Sequence, residues 1–266
     1  MDDTFSLGVD LGGTKTEAAL LRRFKGHDRF EVVARERVPT PREDGYEAVL
    51  HTTANLARTI LASHRLDIST VPVGVGMPGA VTRRHGLVKN SNTTCLNGRH
   101  FRGDLSRLLG RDVLFENDAN CFALAEARLG AAREYHQGVV FGAILGTGVG
   151  GGLILHGRPW PGPQNLAGEW GHHAVGPWRR WYEPELAASG QDVGGGISAR
   201  GPCYCGKTGC LELYLSGRGA EREYTRRSRE QRSLRDIVER KDRDEHAEVV
   251  VDELLEGFVL AETSRT

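Results

Sequence analysis

The sequence carries no net charge: 35 Lys plus Arg balance 35 Asp plus Glu. A dedicated nucleic-acid or acidic-membrane binder shows a basic excess, so composition argues against both. Long apolar runs are missing as well. The one uncharged stretch to consider, Val139 to Leu155, is 17 residues long, holds six glycines and is broken by Gly146-Thr147-Gly148. A membrane helix needs about 20 mostly apolar residues. The N-terminus, MDDTFSLGVDLGG, is acidic and lacks a basic segment followed by an apolar one. It does not read as a signal peptide, and the expected compartment is the cytoplasm. Five cysteines, three of them within eight residues, do not suit a disulfide framework there.

Glycine is what the chain has in excess, at 35 of 266 residues. The usual share is about 7%. The glycines follow no three-residue period, so they belong to tight turns and to loops that approach ligands closely. The length suits about two domains. Residues 5 to 11 and 18 to 21 read as strands joined by a glycine hairpin, and 31 to 38 as a third strand ended by Pro39 and Pro41. Val49, Leu50, Ala54, Leu56, Ile60 and Leu61 recur at helical spacing. Val71 to Val75 and Val113 to Phe115 read as short strands, Phe101 to Leu109 and Ala119 to Leu129 as helices. The strand, glycine turn and strand that open the chain reappear at residue 139. This pattern predicts an α/β fold of two similar lobes around a cleft, residues 1–115 and 116–266, each a mixed sheet covered by helices. Between residues 218 and 248, 19 of 31 residues are charged with mixed signs, which predicts solvated helices with one narrow apolar stripe, Leu234, Ile237 and Val238.

Five motifs can carry chemistry. Asp10-Leu-Gly-Gly-Thr-Lys-Thr16 matches neither common phosphate-loop pattern. It is either an ordinary hairpin or a turn whose N–H groups and hydroxyls hold phosphate, with Asp10 binding Mg²⁺ through water. Leu145-Gly-Thr-Gly-Val-Gly-Gly-Gly152 repeats the design and favours the phosphate alternative. Glu116-Asn-Asp-Ala-Asn120 sits where a strand meets a helix. There Asp118 is either the helix N-cap or a base for a substrate hydroxyl, with Asn117 available to neighbouring hydroxyls. Glu169 and His172 are three residues apart, facing a polyol or simply making a polar loop. Cys203, Cys205 and Cys210 suit a tetrahedral structural zinc completed by His172 or His173. Cys95 and Cys121 read as small buried hydrophobes.

In order, VDLGGTKTE, GVGMPGAV, ENDANCFALAEA, GAILGTGVGGGL, GEWGH and CYCGKTGCLE resemble the ROK family of repressors and sugar kinases, over about residues 5 to 217. The likeness is greatest to its fructokinase and N-acetylglucosamine kinase branches. The resemblance implies two actin-like, ribonuclease-H-like lobes, a homodimer, and transfer of a phosphoryl group from Mg-ATP to the 6-hydroxyl of a hexose. It makes Asp118 the catalytic base and assigns Asp10, Gly12, Gly13, Thr14 and Lys15 to a first phosphate loop. Gly146, Thr147 and Gly148 become the second. Asn92, Asn117, Glu169, His172 and Glu212 become sugar contacts, and His172, Cys203, Cys205 and Cys210 the zinc ligands. Family repressors carry a winged helix-turn-helix ahead of the first loop, and only nine residues precede Asp10. Family kinases continue into a segment that holds adenosine, which LEGFVLAETSRT does not resemble. That difference leaves a second expectation, a sugar-binding or regulatory protein impaired in catalysis.

Overall fold

The computed structural model describes residues 3–25, 30–165, 167–174, 200–203 and 205–263. Trp178, Trp181 and the glycine-rich stretch 187–199 lie outside them. The fold is α/β, and the chain divides into two compact units: residues 1–142 with 152–167, and 143–151 with 168–266.

The first unit is built on strands β1 (Thr4–Leu11), β2 (Lys15–Arg23), β3 (Phe30–Pro39), β4 (Val73–Met77), β5 (Ala80–Val81), β6 (Val88–Lys89) and β7 (Leu114–Asn117). Five form one sheet in the order β3-β2-β1-β4-β7. The first three run antiparallel as hairpins, whereas β1, β4 and β7 are parallel. Strand β4 runs two residues later than the apolar pattern predicts, through Gly76-Met77. Alternation sends Leu7, Val9 and Leu11 into the core, where they meet helix α1 (Tyr46–Ser63). The predicted spacing holds: Val49, Leu50, Ala54, Leu56, Ile60 and Leu61 are all buried. Helix α2 (Phe101–Leu109) adds Phe101, Leu105 and Leu109 to the same core. Helix α3 (Asp118–Leu129) follows β7 directly. Its alanines admit close neighbours: a Cβ on Gly142 would lie 2.7 Å from Ala123 Cβ.

The uncharged run forms strands β8 (Val139–Leu145) and β9 (Val149–Leu155), in a three-stranded sheet with β10 (Arg158–Pro159). Among the described residues no helix is long and apolar enough to cross a membrane.

In the second unit helices α4 (Glu212–Leu215), α5 (Gly217–Ser228), α6 (Leu234–Glu239) and α7 (Glu245–Thr263) follow the cysteine loop. Ala220, Tyr224, Ile237, Ala247, Val250 and Val251 form their core, with Leu234 packed against it. Val238, expected in the same stripe, is half exposed. The charge-rich surface closes on one buried centre. Glu223 accepts from Arg226 Nη2 and Arg227 Nε, each at 2.6 Å, and Arg200 reaches Glu253 at 2.9 Å.

Candidate functional site

The parallel strands fix the site in the first unit, because their carboxyl ends share one edge of the sheet. Strand β1 delivers Asp10, in register with Glu17 on one side and Gly76 on the other. Strand β7 delivers Asn117, in register with Met77. The Gly12-Gly13-Thr14 turn closes with Gly12 N–H donating to Lys15 O at 3.0 Å. Thr40, which motif reading missed, braces it: its hydroxyl donates to Gly12 O and its N–H to Thr14 O. A Cβ on Gly12 would stand 2.9 Å from Lys15 O, so the turn is built for glycine. Thr14 and Lys15 remain exposed. Exposed Asn92 lies against Gly13, its Oδ1 3.3 Å from where a Cβ would be. Asn97 pins the loop that carries Asn92, through hydrogen bonds to Ser91 N and O.

The β7–α3 junction separates two tasks that the sequence left open for one residue. The N-cap is Asn117: its Oδ1 accepts from the N–H groups of Ala119 and Asn120. Its Nδ2 donates to Gly79 O at 3.0 Å. Asp118 is instead the first helical residue, and its Oδ1 accepts the adjacent Ala119 N–H. Desolvation raises the Asp118 carboxyl, the Ala119 N–H lowers it, and the charge of Asp10 raises it again. The net direction is upward. Asp10 is also raised, by desolvation and by Glu17, against Lys15 and Arg37. Nearby Cys121 is pushed to about 12 by burial and then by the charges of Glu116, Asp118 and Asp10. Three carboxylates, Glu116, Asp118 and Asp10, act together on this one position, the arrangement expected where a cation or a proton is to be received.

In the second unit, Gly146-Thr147-Gly148 closes with Gly146 N–H on Gly148 O at 2.9 Å. The N–H of Gly217, at the start of α5, donates to Gly146 O at 2.7 Å. Glu212, 9% exposed, accepts the Val149 N–H at 2.6 Å. Its own N–H donates to Gly171 O. Burial raises the Glu212 carboxyl, with the Val149 N–H and Arg218 and Arg222 opposing. A Cβ on Gly148 would lie 2.8 Å from Glu212 Oε1, and one on Gly171 would lie 2.4 Å from Val149 O. The GEWGH motif is therefore pressed onto the second glycine loop through glycine contacts. Trp170 fixes the alignment by donating from Nε1 to Gly150 O while 1% exposed. Glu169 is half-buried next to it.

His172, Cys203, Cys205 and Cys210 bring their ligand atoms within 4.8 Å of one another. Tetrahedral zinc with ordinary bond lengths needs S···N near ~3.6 Å and S···S near ~3.8 Å. Cys203 Sγ lies 3.6 Å from His172 Nδ1, and Cys205 Sγ lies 3.6 Å from Cys210 Sγ. The donor set fits a closed structural zinc. Nδ1, the ring nitrogen beside Cys203 Sγ, would be the ligand atom. Burial and Lys207 lower the His172 pKa, keeping the ring neutral as a ligand must be. His173, the other candidate from spacing, is exposed and hydrogen-bonds through its backbone to Leu211.

The fold and site define a protein of the actin-like ATPase class: α/β, with carboxylates and glycine turns at strand ends. The ROK family model matches residues 6–263, and the chain belongs to the ROK family. It is 40% identical over 217 residues to an N-acetyl-D-glucosamine kinase of Yersinia enterocolitica, a match covering 82% of this chain and 64% of that kinase. It is 38% identical over 232 residues to one of Vibrio vulnificus, covering 87% of this chain and 69% of that one. The chain thus spans about two thirds of these relatives' length. A ROK hexokinase structure from Thermus thermophilus matches 98% of the chain and 77% of its own at 28% identity and a TM-score of 0.71.

Proposed function

We propose that the chain is an ATP-dependent hexose kinase acting on the 6-hydroxyl of N-acetyl-D-glucosamine. The observation that carries this is the division of labour at the start of α3. Asn117 caps the helix and Asp118 is left with a raised carboxyl beside Asp10. A raised carboxylate is a better proton acceptor at working pH, as a base for a sugar hydroxyl requires. Asp118 would orient the 6-hydroxyl and take its proton as that oxygen bonds the γ-phosphorus and the bond from the phosphorus to the bridging oxygen of ADP breaks, ADP leaving. Asp10 would hold the metal through water, and Gly12, Gly13, Thr14 and Lys15 would hold phosphate oxygens through N–H groups, hydroxyl and ammonium. Gly146, Thr147 and Gly148 form the second phosphate loop. Asn92, Asn117, Glu169, His172 and Glu212 position the ring. Mg-ATP, when bound, supplies the phosphoryl group and the charge that neutralises it. Positioning and electrostatics then provide most of the rate.

The names of the two relatives support N-acetylglucosamine over fructose, mannose or glucose as acceptor. Zinc, held by His172, Cys203, Cys205 and Cys210, keeps the GEWGH segment beside the cysteine loop. The family resemblance supports a homodimer and the sequence composition a cytoplasmic protein, and sedimentation velocity tests the dimer. The activity is tested by following ADP release from Mg-ATP on zinc-replete protein with each of the four sugars. Turnover greatest with N-acetylglucosamine is expected.

A further inference from the structure

The three thiols of the zinc cluster are not equally protected. Cys203 is 4% exposed and Cys210 is fully buried, whereas Cys205 is exposed. The turn explains the difference. Cys203 N–H donates to Lys207 O at 2.8 Å, Gly206 N–H donates to Cys203 O at 2.9 Å, and Pro202 bridges Thr208, so Cys205 stands at the tip. Gly206 follows Cys205 and Gly209 precedes Cys210, both at positive φ with open space where a Cβ would be. Cys205 Sγ lies 3.6 Å from Cys210 Sγ. A disulfide bond is about 2.05 Å long, so rotation of two side chains on this glycine-flanked turn closes the gap. A thiol held as a zinc ligand is a thiolate, the form that peroxides attack. Oxidants find first the exposed thiolate that has a second thiol in reach. Of the five cysteines Cys205 meets both conditions: Cys203 and Cys210 are buried, and Cys95 and Cys121 are half-buried and outside the cluster.

We infer that Cys205 is a modification site for peroxides, whose oxidation closes a disulfide with Cys210 and releases the zinc. The Cys205 thiolate attacks one oxygen of hydrogen peroxide, the O–O bond breaks, and the departing hydroxide takes a proton from solvent to become water. The product is a sulfenic acid at Cys205. The Cys210 thiolate then attacks that sulfur, and the hydroxyl leaves with a second solvent proton as another water. Two thiolates are oxidised to one disulfide, and one peroxide is reduced to two waters. His172 and Cys203 remain, half of the tetrahedral set. The loss reaches the second glycine loop within the same unit. Leu211 N–H donates to His173 O, Glu212 N–H donates to Gly171 O, and the Glu212 carboxylate holds the Val149 N–H. Zinc ties the same two segments through His172 and Cys210. Its release leaves the backbone bonds alone to align Glu212 with the loop. The effect on turnover rests on the kinase activity proposed above, whereas the chemistry at Cys205 does not.

The test treats the zinc-loaded chain with hydrogen peroxide. Free zinc is read with a chromogenic chelator, remaining thiols by titration, and the disulfide by peptide mass spectrometry. One zinc should appear for every two thiols lost, with Cys205 joined to Cys210, and dithiothreitol with added zinc should restore the starting state. Cys205→His supplies a nitrogen ligand in place of the exposed thiolate. It should keep zinc and release it to peroxide at least about 10-fold more slowly. If Cys205→His holds no zinc, dimedone trapping of sulfenic acids in the wild type carries the test. Label on Cys205 ahead of Cys203 and Cys210 supports the site. Label first on another cysteine, or zinc retained while other thiols oxidise, would overturn it. Failure of the kinase reading is distinguishable, because zinc and disulfide are read without turnover. Where ADP release is present it should fall in step with zinc, and turnover that outlasts the zinc would refute the link to the glycine loop.

Discussion

Replacing Asp118 by Asn separates catalysis from folding. The cap belongs to Asn117, whose Oδ1 takes two helix N–H groups, so Asp118→Asn leaves it in place. The substitution removes a negative charge from the first helical turn, which costs about 0.3–1 kcal/mol. It also removes a desolvated carboxylate raised further by Asp10, which returns stability. The sign follows from linkage: a carboxyl with a raised folded pKa destabilises the fold as pH rises through that pKa. The gain from Asn is therefore present at neutral pH and absent below about 3.8, the ordinary carboxyl value. The two effects oppose, so stability should stay within about 1 kcal/mol, a shift in Tm of no more than about 4 °C. Activity should fall by at least about 10²-fold, and the acidic limb of the kcat/KM profile attributable to Asp118 should vanish. Asn117→Ala is the counterpart, costing about 1–2 kcal/mol for the lost cap. Coupled ADP-release kinetics between pH 5 and 9 and thermal melts at pH 7.5 read both quantities. Retention of more than a tenth of the activity by Asp118→Asn would refute its role as base. A melt as low as that of Asn117→Ala would refute the division of labour.

Zinc should be present at about one ion per chain by elemental analysis, and Cys205→Ser should remove most of it; carefully prepared wild type without zinc would refute the site. Gly171→Ala puts a Cβ 2.4 Å from Val149 O and should destabilise the second unit by about 1–3 kcal/mol, read by urea melts. Glu223 is buried, which pulls its carboxyl up, but Arg226, Arg200 and Arg227 outweigh this and lower it. A lowered folded pKa gives stability above about 4.5 that is lost as pH falls through the folded value. Glu223→Gln should therefore cost about 1–3 kcal/mol at pH 7, discounted for the exposed Arg226, and progressively less toward pH 3 in chemical denaturation.

The first unit was legible because its signals are local. Alternation in residues 5 to 11 and helical spacing from Val49 to Leu61 each state one buried face, and the structure keeps both. The zinc ligands were legible because thiols crowded into eight residues have few other uses. Spacing did not choose His172 over His173, since adjacent histidines differ only in which ring the fold turns inward; the family resemblance did. The same loop shows how a pattern misleads. Gly201 to Thr208 spells the Gly-x4-Gly-Lys-Thr phosphate loop, yet Cys203 and Cys205 join the His172 cluster and Pro202 bridges Thr208. The cap at Asn117 was assigned one residue late, because Asn and Asp cap equally well and only backbone geometry tells them apart. Thr40 escaped notice for a different reason. Its importance lies in a partner 28 residues away, which leaves no local motif.

The most direct test of the account is ADP release from Mg-ATP by zinc-loaded wild type, across N-acetylglucosamine, glucose, mannose and fructose at several enzyme concentrations. The account predicts turnover proportional to enzyme, greatest with N-acetylglucosamine and abolished by Asp118→Asn. No turnover with any of the four sugars, in protein shown to be folded and to hold its zinc, would contradict it.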